Sequence, residues 1–415
     1  MGTDVKVKNL QSEGFVKPIL RLKPEDHGWE RFGEYNDNVF LQPFVEGAWV
    51  TKYKDKYYMQ YGAPATEFSG YSDGVYVSKN PLEGYEYQQH NPFSYKPGGF
   101  ARGAGHGATF EDNFKNWWHV STIFISTKNN FERRLGIWPA GFDKDDVMYT
   151  NTAYGDYPTL LPQFAQGKDF SKGLFTNWML LNYNKPVQVS STLGGYHSNY
   201  AVDEDIKTYW SAKTGNSGEW FQTDLGEVST INAIQVNYAD QDVEFMGKTE
   251  GKMHQYKIFG SNDGKKWNVI VDKSKNTKDV PHDYVELEKP ASARYLKMEN
   301  LKMPTGKFAL SGFRVFGKGA GAKPAKVQNF VPLRADPKKY GERRSIWMKW
   351  QQNSEADGYV IYWGKSPDKL YGSIMVYGKN EYFFTGADRV DSYYFQIEAF
   401  NANGISERTE VVKSE

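Results

Sequence analysis

The sequence predicts an all-β chain of hairpins followed by small sandwiches, and three observations predict it. Short runs of alternating polar and apolar residues recur along the chain, among them GAWVTKY, KYYMQYG, DGVYVSK and WWHVSTIFIS, divided by Gly, Pro, Asn and Asp turns. No long stretch keeps a helical apolar period. The aromatic share is 16%, with 29 Tyr and 12 Trp, and such rings suit strands.

The 415 residues exceed one ordinary β-domain, so two to four domains are expected. Aromatic residues serve cores, and they also suit the flat apolar faces of sugars; composition alone leaves both readings open. The formal net charge is +1 and no basic tract stands out, which argues against a nucleic-acid partner. With no cysteine there is neither a disulfide framework nor a thiolate metal site. No apolar run is long enough to span a bilayer, and the opening MGTDVKVKNLQSEG lacks a basic-then-apolar leader pattern. The absence of cysteine fits an exported bacterial protein. The expected location is secreted, periplasmic or cell-surface, with the signal peptide outside this chain.

Three segments follow from composition. The first runs to about Lys185 and reads as successive antiparallel hairpins. Ala48–Tyr53 turns at Lys54-Asp55 into Lys56–Gly62, and Gly107–Phe110 turns near Asp112–Asn116 into Trp117–Ile125. Up-and-down units about forty to sixty residues apart suit propeller blades, and roughly three are expected here, with an open edge. The second segment spans 186–318. The linker GKGAGAKPAK, which cannot pack a core, precedes the third at 327–415. There, GYVIYWG after Trp350 and the alternation of Tyr393, Phe395, Ile397 and Ala399 read as facing strands of a small sandwich.

The third segment resembles a fibronectin type III domain over nearly its whole length, with Tyr393 where that fold places its corner tyrosine; such modules are usually spacers. The second resembles a discoidin-like (factor 5/8 type C) jelly-roll, the fold of carbohydrate-binding module family 32. The resemblance rests on Val189-Ser190-Ser191, DEDIKTYW at Asp203–Trp210, EWFQTDLGE at Glu219–Glu227, YKIFGSNDGKKW at Tyr256–Trp267 and ARYLKM at Ala293–Met298. Trp210, Trp220 and Leu225 are expected in its core. The resemblance implies that Asp203, Asp205 and Thr208 help hold a structural calcium through oxygen ligands. The family's completing carboxylate is replaced here by Gly312. Tyr196, His197, Tyr238 and His254 are candidate sugar contacts on loops, or else loop and core residues.

In the first segment, PFVEGAWVTKYKDKYYMQYGA resembles the general-acid blade of glycoside hydrolase family 43, a five-bladed propeller family. The matching positions are Glu46, Gly47, Trp49, Lys52, Tyr57, Tyr58 and Tyr61. The resemblance implies that Glu46 opens an innermost strand as the general acid. Gly47 would leave space beside it, and aromatic walls would desolvate its carboxyl so that it holds a proton near neutrality. The next stretch, ARGAGHGATFEDNFKNWWHVST, resembles the family's G-x-GH motif, whose histidine faces the axis and ligates, or orients water on, a central metal, often calcium. His106 takes that place, with Gly103, Gly105 and Gly107 allowing close backbone approach. A buried structural histidine is the other reading. His119 reads as structural. Arg102, Trp49 and Tyr71 are candidate substrate contacts, Arg102 by its polar fork. NFERRLGIWPAGFDKDD resembles the closing stretch, where Arg133 or Arg134 braces the ring.

Inverting glycosidases need an acid and a base, with their carboxyl groups roughly 6.5–9.5 Å apart. The family adds a third carboxylate. Both partners should lie many tens of residues before the acid. The residues before Glu46 offer only Asp4, Asp26 and Asp37 as aspartates, none at a strand start, while Glu30 and Glu34 either approach the pocket or lie, as the favoured reading, on a surface loop. The expectation is an N-terminally truncated chain lacking two blades and two catalytic carboxylates. Two functions follow: an inverting arabinofuranosidase- or xylosidase-like hydrolase of polysaccharides or oligosaccharides, or a non-catalytic carbohydrate-binding or adhesion protein.

Overall fold

The computed structural model describes residues 18–38, 40–124, 133–244, 252–335 and 344–414. Asp4 and Ile125 lie outside them. The described chain is all-β, with helix confined to Pro162–Ala165 and three short 3-10 turns. No described helix is long and apolar enough to cross a membrane.

The first segment contributes two four-stranded antiparallel meanders in a propeller-like arrangement. One holds β1 (Glu46–Tyr53), β2 (Lys56–Ala63), β3 (Ser72–Ser78) and β4 (Glu86–Tyr87). The other holds β5 (Arg102–Glu111), β6 (Trp117–Phe124), β7 (Arg133–Phe142) and β8 (Met148–Thr150). Local chemistry sets both leading hairpins. Tyr53 pairs with Lys56 around a two-residue turn, and Lys54 takes the left-handed conformation (φ 51°) such a turn needs. In the second, Asp112 accepts the amides of Phe114 and Asn116 and the indole N–H of Trp118. Among the described residues two such sheets stand where roughly three were expected, because 18–38 carries no period-2 run. It folds as turns around fully buried Trp29 and Glu30 instead.

The second segment supplies most of an eight-stranded sheet. β9 (Met179–Leu180), β10 (Val187–Val189) and β11 (Trp210–Ser211) flank the long β12 (Trp220–Tyr238). β13 (Gln255–Ser261), β14 (Asn268–Asp272), β15 (His282–Lys302) and β16 (Ala309–Lys318) complete it in the order β11-β16-β12-β15-β13-β14. Trp210 and Leu225 sit in its core as expected. Trp220 does not; it is half-buried, with Lys297 Nζ 4.7 Å over its ring.

The third segment folds as two sheets around one core containing Trp350, Trp363 and Tyr393. The first orders β17 (Val331–Arg334), β18 (Ile346–Lys349) and β21 (Glu381–Phe384). The second orders β20 (Gly372–Tyr377), β19 (Gly358–Gly364), β22 (Tyr394–Asn401) and β23 (Gly404–Ile405), with β24 (Val412–Lys413) also on β22. The linker packs no core, but its backbone is pinned: Gly319 N–H donates to Ala402 O and Gly321 N–H to Asn403 Oδ1.

The three segments share one apolar cluster, including Tyr154, Leu180, Phe316, Met375 and Phe400. Beside it lies a fully buried cation. Arg314 on β16 donates Nε and Nη2 to the two oxygens of Glu204 (2.9 Å each), and Nη1 to Asp156 O (2.6 Å) and Gln235 Oε1 (2.8 Å). Its guanidinium also packs on the ring of Phe100 (4.7 Å). Burial alone would raise Asp156, and the charges of Lys96 and Arg314 overcome it, so Asp156 titrates below its ordinary value. Glu204 is pushed up by burial despite Arg314.

Candidate active site

Glu46 stands at the first residue of β1, and a bulge aims it. Glu46 pairs with Gly62 and Trp49 with Gln60, so β1 carries one extra residue there, with Gly47 in the left-handed region (φ +66°). β5 carries two comparable irregularities, between Arg102 and Gly105 and between Gly105 and Ala108. His106 falls in the second, itself at φ +55°, which is uncommon for a residue with a side chain. Asp73 on β3 holds that conformation by accepting the His106 N–H at 2.8 Å.

These devices bring Glu46, Tyr71 and His106 together. The Tyr71 hydroxyl donates to Glu46 Oε1 at 2.6 Å, and His106 Nδ1 lies 3.7 Å from the same oxygen. Burial and the Glu46 bond push the Tyr71 phenol well up, so it stays a donor. Glycines make the approach possible. A Cβ on Gly47 would lie 2.8 Å from His106 Cγ, and one on Gly105 would lie 2.8 Å from the Tyr71 ring. Gly47 therefore admits the histidine rather than keeping empty space beside the acid. Replacing Gly47 by Ala is expected to cost about 1–3 kcal/mol through backbone strain and to displace the imidazole. Urea denaturation and the His106 ring-proton NMR shifts check both effects.

The expected aromatic walls are not built around Glu46, whose side chain is 42% exposed. Tyr58 and Tyr61 turn into separate cores, donating to Asp146 O and Glu30 Oε1. Trp49 is anchored between sheets by its indole N–H to Thr109 O (3.2 Å). The Lys52 ammonium lies 5.5 Å from the Tyr57 ring centroid.

Beneath the site lies a sealed polar relay that sequence reading missed. Asp73 and His119 are both fully buried, with His119 Nε2 3.1 Å from Asp73 Oδ2. The Thr109 hydroxyl donates to Gln60 Oε1, so at Thr109 it is His119 Nδ1 that donates. His119 Nε2 and Asp73 Oδ2 face each other as ion-pair neighbours without a well-formed hydrogen bond between them. Burial raises Asp73, and His119 opposes the rise. The only signal in the sequence was an Asp at the entry of the DGVYVSK strand.

Residues 34–148 match the family model "Glycosyl hydrolases family 43". Residues 186–312 match the "F5/8 type C domain". No curated protein matches the chain. Among solved structures, one titled "Glycoside hydrolase" is 19% identical, with a TM-score of 0.36 over 67% of this chain. The chain spans 61% of that protein's length. A chitosan-binding module of a chitosanase/glucanase from Paenibacillus sp. IK-5 is 22% identical over 34% of this chain and 99% of its own (TM-score 0.28). The family 32 carbohydrate-binding module of C. perfringens NanJ, solved with galactose, is 17% identical over 34% and 98% (TM-score 0.28).

The other predicted residues fall elsewhere. Arg102 reaches across to the second segment, its Nη2 3.3 Å from Asp205 Oδ1. Arg133 ties β7 to the loop after β2 through Thr66 (3.1 Å), and Arg134 Nη1 donates to the Arg133 carbonyl. Tyr238 and His254 are buried and packed on each other (4.2 Å), so neither presents a surface to sugar. His254 accepts the Val280 N–H, and burial lowers it to about 3. Tyr196 is half-buried and His197 is exposed.

The residues of the Asp203 turn do not fit a calcium ion as folded. Asp203 accepts the Asp205 amide and the Thr208 hydroxyl, Asp205 accepts the Lys207 amide and faces Arg102, and Gly312 lies under the Phe100 ring. Among the described residues, no group of three or more His, Asp or Glu side chains is placed to hold a metal, at His106 or elsewhere.

Glu30 is not on a surface loop, whereas Glu34 is half-buried in a turn that lines an open groove. Glu34 accepts the amide and hydroxyl of Ser69. Glu30 is buried, accepts the Tyr61 hydroxyl, and is pushed up to about 7 by burial, against the Tyr61 bond. The folded state therefore holds a proton there that the unfolded chain releases near 4.5. Stability contributed by Glu30 is present below about 4.5 and is lost as pH rises to about 7. Glu30→Gln, which mimics the neutral acid, should remove that component. The wild-type-minus-variant difference in urea midpoint between pH 5 and pH 8 checks it.

Proposed function

We propose that this chain serves inverting hydrolysis of arabinofuranosyl, xylosyl or similar linkages in polysaccharides, with Glu46 as general acid. The observation that carries the reading is a carboxyl at a bulged strand entry, gripped by a phenol and facing an imidazole, inside the stretch that matches the hydrolase family. The middle module would hold the glycan, and the third would be a fibronectin type III-like spacer. Its strand order and the Asp388 N–H donated to the Tyr393 hydroxyl (2.7 Å) support that spacer reading.

Asp73 is not the base, because it is sealed from water and bonded to the His106 amide. The exposure of Glu46 favours a second reading, a carbohydrate-binding protein without turnover. A panel of nitrophenyl glycosides and xylo- and arabino-oligosaccharides separates them. Hydrolysis, by this chain or by one extended at its N-terminus with a base, that falls in Glu46→Gln supports the first reading. Glycan binding with hydrolysis by neither supports the second.

A further inference from the structure

A groove runs along the junction of the three segments, away from Glu46. Its larger part is a cavity of about 840 Å³ with walls from every segment, within the roughly 300–1,000 Å³ typical of small-ligand sites. A smaller cavity of about 370 Å³ shares Tyr35, Asn36, Phe383 and Thr385 with it, so the two form one elongated depression.

Three large rings line the groove and stay in water: Tyr35 is 64% exposed, Phe383 52% and Trp347 44%. This is not loose packing. Trp347 on β18 and Phe383 on β21 are direct cross-strand partners, so they share one face of the sheet. Their neighbours Ile346, Met348 and Phe384 fill the core on the other face. The Trp347 indole is fixed by its N–H to Glu381 Oε2 (3.2 Å) and by Lys349 Nζ, 3.7 Å from its ring centroid. Rigid rings lose little freedom when a ligand stacks on them.

The polar lining holds five carboxylates against two cations; Glu204 pairs with Arg314, Asp205 with Arg102 and Glu381 with Lys349, which among the described residues leaves Glu34 and Asp203 without an ion pair. Such a lining repels phosphates and uronates, while carboxylates and the Arg102–Asp205 pair accept from and donate to neutral hydroxyls. Ring faces beside hydroxyl-binding carboxylates suit a sugar, whose C–H faces are apolar and whose edges are polar.

We propose that this groove is a second glycan-binding site, taking a neutral oligosaccharide across the junction. The choice of a sugar rests on the proposed function; the groove and its rings do not.

Isothermal titration of the full chain with xylohexaose and arabinohexaose tests it, beside Tyr35→Ala/Phe383→Ala, Glu46→Gln and a hexagalacturonate control. At least one neutral hexaose should bind wild type and Glu46→Gln alike. The ring variant, with its folding checked by melting temperature, should bind about tenfold or more weakly, and hexagalacturonate should not bind. Wild-type affinity in the ring variant, hexagalacturonate binding as tight as the neutral sugar, or no binding of either neutral hexaose would overturn the site. The acid assignment is read separately from hydrolysis: hydrolysis untouched by Glu46→Gln sinks that assignment while ring-dependent binding keeps the groove.

Discussion

Replacing Arg314 by Met is expected to destabilise the chain by about 3–5 kcal/mol. The side chain is of similar length, so apolar packing against Phe100 and Phe316 survives in part. What is lost is the charge partner of Glu204, which burial already disfavours as a carboxylate, and the bond to the Asp156 carbonyl. Removing one member of a buried pair leaves the other uncompensated, and that cost exceeds the worth of the pair itself. Arg314→Lys keeps the charge but not the fork that grips both Glu204 oxygens, so it should fall between wild type and Met. Adding Glu204→Gln to Arg314→Met should recover part of the loss, because no buried carboxylate is then stranded. Urea denaturation reads the series. A loss below about 1 kcal/mol in Arg314→Met would mean the junction is held by its apolar cluster alone.

The second large effect is catalytic. Glu46→Gln keeps size and can still accept the Tyr71 hydroxyl, but it has no proton to give. General-acid catalysis contributes about 10²–10⁴-fold, and hydrolysis of xylo- or arabino-oligosaccharides should fall by that factor. KM should move little, because the lost interaction belongs to the transition state.

Much of the local structure was legible in the sequence. Lys54-Asp55 marked a hairpin, and the GAGHG run marked a close backbone approach. These features depend on neighbours in the chain. Burial of charge does not. Arg314, Glu204 and Asp156 lie far apart in sequence and meet only when three segments fold together. Glu30 read as a loop acid because nothing nearby announces Trp29, Tyr61 and Tyr87 closing over it. Asp73 gives no sequence signal of its burial, since its partners sit on β5 and β6. The aromatic hairpin was read correctly as a strand pair and wrongly as a wall for Glu46. Period 2 puts Tyr58 on one face of β2 and Tyr61 on the other, and each face packs into its own core, away from Glu46.

The most direct test of Glu46 as general acid is the dependence of its loss on the leaving group. A sugar alkoxide cannot depart without a proton, whereas a nitrophenolate needs almost none. The ratio of wild-type to Glu46→Gln kcat/KM should be about 10²–10⁴ on a natural oligosaccharide and far smaller on the nitrophenyl glycoside of the same sugar. Equal losses on both substrates would contradict the assignment and show that Glu46 binds or braces instead of donating.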